Sequence, residues 1–408
     1  MKSKSKKTVV AFSGGLDTTY CAAWLRHTSD AEIITVTVDT GGFSASELEA
    51  IEARSHEAGA HEHVTLDGKN EVFDRIITTL IQGNVLKGQV YPLCVSAERV
   101  TQAGLLVEYA KNIGADAIAH GSTGAGNDQV RFDVAVRTLA PEMELITPIR
   151  DQALSRHEET AWLEKNNIHV PQKTSVYSVN AGMWGTTIGG AETHDPWKSV
   201  PDDAYENVVG IKDAPENGIE MIISFEKGIP VAVDSEKIDG PALVEKLNST
   251  GAAHGVGRGV HLGDTILGIK GRIAFEAPAA AILISAHREL EKLVLSRWQQ
   301  FWKDKIADFY GMLLHEALYY DPVVTDITAM IRSSQHRVTG DVRLKLLKGV
   351  ITIQGVRSPH SVMNMHKAMY GESTGMWNGR DAEGFSLIHG MGPMLYAAAS
   401  EEHAGGTS

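Results

Sequence analysis

The chain has only two cysteines, Cys21 and Cys94, among its 408 residues. Two cysteines are too few for a disulfide framework or a zinc site, so a reducing compartment such as the cytoplasm is expected. No apolar run approaches the length of a membrane span, and the run after Lys7 is too short for a secretory signal. Positive charge is also scarce: the net charge of −13 argues against a broad surface for nucleic acid or membranes.

The 17 histidines are scattered, and none stands in the His-Glu-x-x-His pattern or a comparable metal-binding spacing. We therefore predict no metal site from protein motifs.

The length predicts two or three domains. From residue 8 to about 170, apolar strands alternate with amphipathic helices, a pattern typical of α/β proteins with a doubly wound parallel sheet. We predict strands at 9–12, 33–38, 63–66, 117–120 and 145–149, and helices that include one at 44–59, where Ser44 and Glu47 form a capping box. Ligands of such sheets bind at the carboxyl ends of the strands. Segments 13–19, 39–42 and 120–122 are therefore expected to meet at one site.

The pattern changes after residue 170. We predict hairpins at 219–233 and 342–356, a β region at 260–275 and a helical region at 280–332. In the helical region an apolar stripe at helical spacing indicates packing, either in the core or between subunits; its members are Trp298, Trp302, Ile306, Phe309 and Leu313. We divide the chain into an α/β domain at 1–170, an α+β domain at 171–360 and a C-terminal arm at 361–408. The arm either reaches another subunit or ends loosely.

The most informative turn follows the first predicted strand and reads Ser13-Gly14-Gly15-Leu16-Asp17-Thr18-Thr19. Glycines allow a ligand to approach the backbone, and the unpaired N–H groups of a helix start form an anion site that suits phosphate. As a plain strand-to-helix turn, the segment would need only Asp17 or Thr18 as an N-cap. It is neither a Walker P-loop nor a dinucleotide fingerprint. The Ser-Gly-Gly-x-Asp-Thr context resembles the pyrophosphate loop of ATP pyrophosphatases, which split ATP into AMP and pyrophosphate.

A second informative segment, from Gly121 to Phe132, follows the strand predicted at 117–120. Its glycines alternate with polar residues, and an amide, a carboxylate and a guanidinium come close together at Asn127, Asp128 and Arg131. We interpret it as a loop whose backbone forms a nest for carboxylate and polar planar groups. A flexible surface loop would have a similar composition, but this segment follows a strand of the sheet that already carries a phosphate motif.

An ordered set of motifs over nearly the whole chain resembles the argininosuccinate synthase family. The motifs are Ser13–Thr18, Tyr91-Pro92-Leu93, Gly121–Phe132, Leu139-Ala140-Pro141, Tyr177-Ser178, Met183-Trp184-Gly185, Asp195-Pro196-Trp197, His254–Arg258, Lys345–Gly349 and Asp381–Phe385. The resemblance implies a nucleotide domain at 1–170, a synthetase domain at 171–360, and a C-terminal oligomerisation arm, usually in a homotetramer. It also implies cytoplasmic arginine biosynthesis.

The resemblance implies a two-step ligase reaction. A ureido oxygen, citrulline's in the family, attacks the α-phosphorus of Mg-ATP and releases pyrophosphate; the amine of L-aspartate then displaces AMP. ATP is the implied cofactor, with Mg²⁺ arriving bound to it. The protein would contribute mainly by positioning the substrates and by neutralising the charge of the phosphates. The implied catalytic residues are Asp17, Asn127, Asp128 and Arg131.

The binding positions implied by the resemblance fall into three sets. ATP would be held by Ala11, Phe12, Ser13, Gly14, Gly15, Leu16, Asp17, Thr18, Thr19, Val38 and Gly121. L-aspartate would be held by Thr123, Asn127 and Asp128. The acceptor would be held by Tyr91, Ser96, Asn127, Arg131, Ser178, Thr187, Gly263 and Phe275.

Several acceptor positions depart from the family pattern. Gly263 stands where the family has a glutamate and Phe275 where it has a tyrosine, both of which normally hold the amino-acid end of citrulline. Thr187 replaces a serine, Ala125 a lysine, and the segment at 178–184 is altered. An ammonium without its carboxylate partner loses a hydrogen bond worth about 1.5–3 kcal/mol. Two hypotheses stay open: an acceptor that is a ureido, carbamoyl or amide compound without a free α-amino group, or an ordinary argininosuccinate synthase with local variation.

Two other classes compete with this interpretation. A tRNA-modifying enzyme of the same superfamily also begins with Ser-Gly-Gly-x-Asp, but Cys21 and Cys94 are too far apart for a Cys-x-x-Cys pair and the acidic charge disfavours RNA. A non-catalytic paralogue that acts in binding or assembly is disfavoured by the intact phosphate loop and by Asn127 and Asp128.

Overall fold

The computed structural model describes residues 6–124, 126–170, 176–363 and 376–404. The chain forms two compact units, Met1–Pro359 and His360–Ser408. Ala125 and residues 171–175, where the boundary between the first two predicted domains falls, lie outside the described part. Within these four ranges, no helix has the length and apolar character needed to cross a membrane.

The first half of the larger unit is built on a parallel sheet in the order β3-β2-β1-β4-β5. This arrangement confirms the predicted α/β doubly wound fold class. A π-helical turn, Phe73–Ile77, joins α3 to α4. The strands are β1 (Lys7–Ala11), β2 (Glu32–Asp39), β3 (Glu62–Asp67), β4 (Ala117–Ala119) and β5 (Glu144–Ile146); the helices are α1 (Leu16–Thr28), α2 (Ala45–Glu57), α3 (Lys69–Val72), α4 (Thr78–Gly83), α5 (Cys94–Asn112), α6 (Asn127–Leu139), α7 (Pro148–Gln152) and α8 (Arg156–Lys165).

Alternate residues of the central strands point to opposite faces, and both faces are covered. Val10 and Ile33 pack with Cys21 on one face, where α1 and α8 lie. Val9 and Ile34 pack on the other face against α5 and α6. Burial on both sides explains the continuous apolar runs of β1 and β2, which are typical of parallel sheets. Cys21 is a buried core residue.

The second half of the larger unit contains two antiparallel sheets, in the orders β11-β12-β7-β6 and β10-β9-β8-β13-β14, and four helices. The hairpins predicted at 219–233 and 342–356 are confirmed as β8–β9 and β13–β14. The elements are β6 (Ser178–Asn180), β7 (Thr186–Gly189), β8 (Ile219–Glu226), β9 (Ile229–Val233), β10 (Glu236–Lys237), α9 (Gly240–Ala253), β11 (Arg258–Asp264), β12 (Lys270–Glu276), α10 (Pro278–Val294), α11 (Arg297–His315), α12 (Pro322–Ser334), β13 (Gly340–Leu347) and β14 (Val350–Arg357).

The smaller unit contains helices α13 (Gly379–His389) and α14 (Met391–Ala404). Asn378 caps α13 through its side chain, which accepts hydrogen bonds from the N–H groups of Arg380 and Asp381. Large apolar side chains of this unit are exposed, including Phe385, Ile388 and Leu395.

Two sequence predictions were wrong, and a third is decided only in part. The segment interpreted as a loop from Gly121 to Phe132 becomes helix α6 at Asn127. The strand predicted at 145–149 ends at Ile146, because Pro148 starts a helix instead. Core packing of the α11 stripe holds for Leu313 but not for Trp298, Trp302 or Phe309, whose side chains are 61%, 56% and 41% exposed. Packing between subunits, the other alternative for the stripe, stays a prediction.

Candidate active site

The loop predicted to bind phosphate, called the phosphate loop from here on, leaves β1 at Ala11 and enters α1 at Leu16. Gly15 is the N-cap and supplies no side-chain cap, so neither Asp17 nor Thr18 has that role. Thr18 Oγ1 accepts from the Ser13 N–H at 3.3 Å and lies 3.3 Å from Ser13 Oγ. The first N–H groups of α1 therefore have no capping side chain at the carboxyl edge of the sheet, where they can donate to an anion.

Two glycines allow this loop to pack closely. Gly14 has φ = 66°, a left-handed conformation that disfavours other residues, and its carbonyl accepts from Arg54 Nη1 at 2.8 Å. Gly121 follows β4, and a Cβ there would lie 2.9 Å from the Asp17 backbone. The absence of a side chain at Gly121 therefore allows the first turn of α1 to pack against the segment after β4.

A second carboxyl group stands next to the loop. Glu159 of α8 is 1% exposed, its Oε2 is buried without a hydrogen-bond partner in the described chain, and the negative charge of Asp17 acts on it. Burial and the Asp17 charge raise the pKa of Glu159 to about 7. Glu159 therefore stays protonated up to about neutral pH, which limits the negative charge beside the phosphate loop.

Helices α5 and α6 build a charged cluster at the same edge of the sheet. Asp128 accepts from Arg99 Nε at 2.9 Å and from Arg131 Nη1 at 3.0 Å. Although burial opposes the charged form, the two guanidiniums hold the pKa of Asp128 below its usual range. Arg131 also donates to Ser96 Oγ at 2.9 Å, and its Nε is buried without a protein partner in the described chain. The cluster brings together three residues predicted for aspartate and acceptor binding.

Arg99 connects this cluster to the rest of the edge. Its Nη2 donates to Asn180 Oδ1 at 2.9 Å and its Nη1 to Gln102 Oε1 at 2.8 Å. Gln102 in turn donates to Thr40 Oγ1 at 3.1 Å, directly after β2. The end of β2, where an adenine contact was expected at Val38, is thus connected through side chains to the carboxylate of Asp128.

A wall of aromatic rings lies on the side of the second half. Tyr91 is buried, and its ring centroid is 5.5 Å from that of His261 and 5.4 Å from that of Phe275. Phe275 is paired with Thr187 across β12 and β7. A Cβ on Gly263 would lie 2.6 Å from His261 Nε2. Of the residues predicted for acceptor binding, Tyr91 and Gly263 therefore lie against His261. Phe275 lies against Tyr91, and Thr187 is its strand partner.

The remaining residues predicted for the site make fewer side-chain contacts with it. Thr123 and Ser178 are exposed. Asn127 accepts the Ile266 N–H on Oδ1 at 2.9 Å, which leaves its amide N–H groups to face a ligand. Phe12 and Val38 are buried in the sheet, so their backbone rather than their side chains would meet a nucleotide.

Sequence reasoning missed several residues of this site. Arg99 lies one helical turn after the predicted Ser96, and this i, i+3 spacing could have indicated it. His120 Nε2 lies 2.9 Å from Asp133 Oδ1, and Arg150 donates to the same carboxylate, which joins β4, α6 and α7. Neither these contacts nor the position of His261 against Tyr91 has a sequence signal, since the partners come from distant segments.

A parallel five-stranded sheet with this loop at its carboxyl edge defines a nucleotide-binding domain of the HUP class. The model of the arginosuccinate synthase N-terminal HUP domain matches residues 7–169, and that of the arginosuccinate synthase C-terminal domain matches residues 177–396. The chain belongs to the argininosuccinate synthase family, and it is an ATP-dependent ligase that releases AMP and pyrophosphate.

Individual relatives match at similar levels over their full length. A protein named argininosuccinate synthase from Moorella thermoacetica is 40% identical over 404 residues, 98% of each chain. One from Synechococcus sp. strain JA-3-3Ab is 39% identical over 396 residues, 97% of this chain and 98% of its own. One from Xanthomonas campestris pv. campestris is 39% identical over 398 residues, 96% and 98% of the two chains.

Proposed function

We propose that the chain joins L-aspartate to a ureido acceptor, which is citrulline or a related ureido compound. The ureido oxygen attacks the α-phosphorus of ATP and pyrophosphate leaves; the aspartate amine then attacks the activated carbon and AMP leaves. The observation that carries the proposal is the Arg99–Asp128–Arg131 cluster at the sheet edge that also holds the uncapped start of α1. A nucleotide phosphate and an amino-acid substrate would meet at such an edge.

The ATP half of the site consists of the loop from Ala11 to Thr19 together with Val38 and Gly121. Backbone N–H groups at the start of α1 and the hydroxyls of Ser13 and Thr18 would donate to the phosphates. Asp17 carries a carboxylate in the first turn of α1. Because Mg²⁺ prefers phosphate and carboxylate oxygens, we propose that it arrives with ATP, held by the phosphates.

The aspartate half of the site is assigned to Thr123, Asn127 and Asp128. Asp128 stays ionised because Arg99 and Arg131 neutralise it, and it holds the two guanidiniums in place for a carboxylate of the incoming amino acid. Arg131 has the buried, unpaired Nε in addition to its bonds to Asp128 and Ser96. Its remaining donor is suited to an oxygen of the acceptor.

A pyrophosphate-release assay with ATP, Mg²⁺ and L-aspartate tests this proposal across ureido acceptors that include citrulline. Asp17→Ala is expected to abolish release with every acceptor, since the loop loses its carboxylate. Asp326→Ala, at an exposed position of α12, is the matched control and should retain full activity. Pyrophosphate release that survives Asp17→Ala would show that the phosphates of ATP bind at another site. Pyrophosphate release that is stimulated by RNA would support a tRNA-modifying enzyme. Failure to form AMP with any acceptor would support a non-catalytic paralogue.

We propose a homotetramer as the working assembly. The exposed aromatic residues of α11 and the exposed apolar residues of α13 and α14 support this, because contiguous apolar surface usually marks an interface. Light scattering of the intact chain tests it, and a monomer at working concentration would refute it. Two free, buried cysteines support a cytoplasmic location, where thiols stay reduced.

A further inference from the structure

On the face of strand β11 that is turned toward the aromatic wall of Tyr91 and Phe275, two glycines flank a histidine. Gly259, His261 and Gly263 are two residues apart and therefore share one face of the strand. A Cβ on Gly259 would lie 2.2 Å from the Phe275 ring. The Phe275 ring thus covers Gly259, and the His261 ring extends over Gly263.

His261 is held in a fixed orientation. Its ring stacks on Tyr91 at an interplanar angle of 19°, and a Cβ on Gly88 would approach its Cε1 to 3.0 Å. The imidazole therefore fills the space that a longer side chain at residue 263 would need. This glycine and this histidine form a matched pair.

The polar atom of this ring has no protein partner. His261 Nε2 is buried and lacks a hydrogen bond within the described ranges. Buried polar atoms are nearly always satisfied, so an exception in a substrate pocket points to a partner that arrives with the substrate. Burial and the nearby Lys87 lower the pKa of His261, which keeps the ring neutral.

The charges around the ring are more basic than acidic. The cations that act on this region are Lys87 and Arg131, whereas His315 is neutral because burial lowers its pKa to about 3. The two nearby carboxylates are already engaged: Asp264 pairs with Lys270 at 2.7 Å and Glu316 lies 3.1 Å from His315 Nδ1. A ligand ammonium in this place would find no free carboxylate, whereas a ligand carboxylate would find cations.

We infer that His261 determines acceptor specificity, and that the acceptor is a ureido acid with a terminal carboxylate and no free α-ammonium. The inference rests on the proposed function. The imidazole supplies a neutral hydrogen-bonding group at the position where an ammonium would need an anion. The unpaired His261 Nε2 beside Gly263 is the observation behind it.

Two acceptors that differ only in the ammonium provide the test: L-citrulline and 5-ureidopentanoate. Pyrophosphate release by the full chain with ATP, Mg²⁺ and L-aspartate gives kcat/KM for each. We expect 5-ureidopentanoate to exceed citrulline by at least tenfold, the discrimination expected when a charged group must enter a site without its partner. The difference should fall mainly on KM, because the ammonium is remote from the reacting oxygen.

Substitutions at residue 261 test the role of the ring. His261→Glu should reverse the ratio of the two kcat/KM values in favour of citrulline, because a carboxylate then faces the ammonium. His261→Ala supplies no anion, so it should keep the preference for 5-ureidopentanoate but raise the KM for that acceptor, which loses the hydrogen bond to the ring. His336→Ala, at an exposed histidine, should leave the ratio unchanged. Folding of each variant is checked by circular dichroism and by the KM for ATP, which should not change.

The outcomes separate the inference from the proposed function. Citrulline turned over as well as or better than 5-ureidopentanoate by the native chain overturns the inference and leaves the ligase reaction intact. A ratio that survives His261→Glu, with a KM for 5-ureidopentanoate that His261→Ala leaves unchanged, removes His261 from the specificity determinants. No pyrophosphate with either acceptor, from a chain that binds ATP, overturns the proposed function and the inference together.

Discussion

Replacing Gly182 by alanine should destabilise the fold through one collision. A Cβ at this position would lie 1.5 Å from Oε2 and 1.9 Å from Cδ of Glu98. Glu98 is 2% exposed; its Oε1 accepts the Trp184 N–H at 3.2 Å and its Oε2 the Thr40 hydroxyl at 3.4 Å. The carboxyl group would have to shift by about 1.5–2 Å to restore normal contact distances, which breaks both bonds.

The magnitude follows from two costs. Overpacking a filled core costs about 1–3 kcal/mol, and leaving the buried Trp184 N–H unpaired adds about 1–3 kcal/mol. The opposing gain from replacing a glycine is only about 0.4–1 kcal/mol. Since φ of Gly182 is not in the left-handed region, no backbone strain contributes. We expect a net loss of about 2–5 kcal/mol.

A double-mutant cycle with Glu98→Ala tests the cause. In that background the collision partner is gone, so Gly182→Ala should be neutral or slightly stabilising, and the coupling should equal most of the original loss. Urea unfolding followed by tryptophan fluorescence measures the free energies, and hydrogen exchange of residues 178–189 measures the local effect if unfolding has more than one step. An equal cost of Gly182→Ala in both backgrounds would refute the reasoning.

Three further predictions follow from other contacts. A lysine at position 99 cannot form the three hydrogen bonds of the Arg99 guanidinium. In Arg99→Lys the KM for L-aspartate should therefore rise about tenfold to a hundredfold, while the KM for ATP stays constant. An unchanged KM for L-aspartate would show that Arg99 does not position Asp128. Lys303→Met leaves the buried Glu291 without its 2.8 Å ion-pair partner and should cost about 3–5 kcal/mol in urea unfolding; Glu291→Leu in the same chain should recover most of it, and no recovery would contradict the pairing. The pKa of Glu159, raised from 4.5 to about 7, means that the folded chain keeps a proton the unfolded chain has lost. Glu159 therefore contributes fully to the free energy of unfolding below pH 4.5, and this contribution is lost as the pH rises through 7. Glu159→Gln should flatten the dependence of the free energy of unfolding on pH in this range. An unchanged pH dependence would refute the raised pKa of Glu159.

The sequence alone determined the parallel sheet and the placement of the phosphate loop. Both depend on local patterns: apolar strands alternating with helices, glycines at a turn, and a capping box at Ser44 and Glu47 that the structure confirms. Such signals act over a few residues and are readable without the fold. Helix α6 escaped prediction because its polar start at Asn127 follows a glycine-rich segment that equally suits a loop.

Tertiary structure alone decided which side chains face one another. Arg99 donates a hydrogen bond to Asn180, which is 81 residues away in the sequence. The carboxyl group of Glu98 occupies the space that a side chain at Gly182 would fill, and no local sequence pattern indicates this contact. The same holds at the acceptor end of the site. The sequence showed that Gly263 lacks a carboxylate, but only packing against Tyr91 showed that His261 occupies the space. Contacts between distant strands depend on sheet register and helix placement, which set the distances that decide the chemistry.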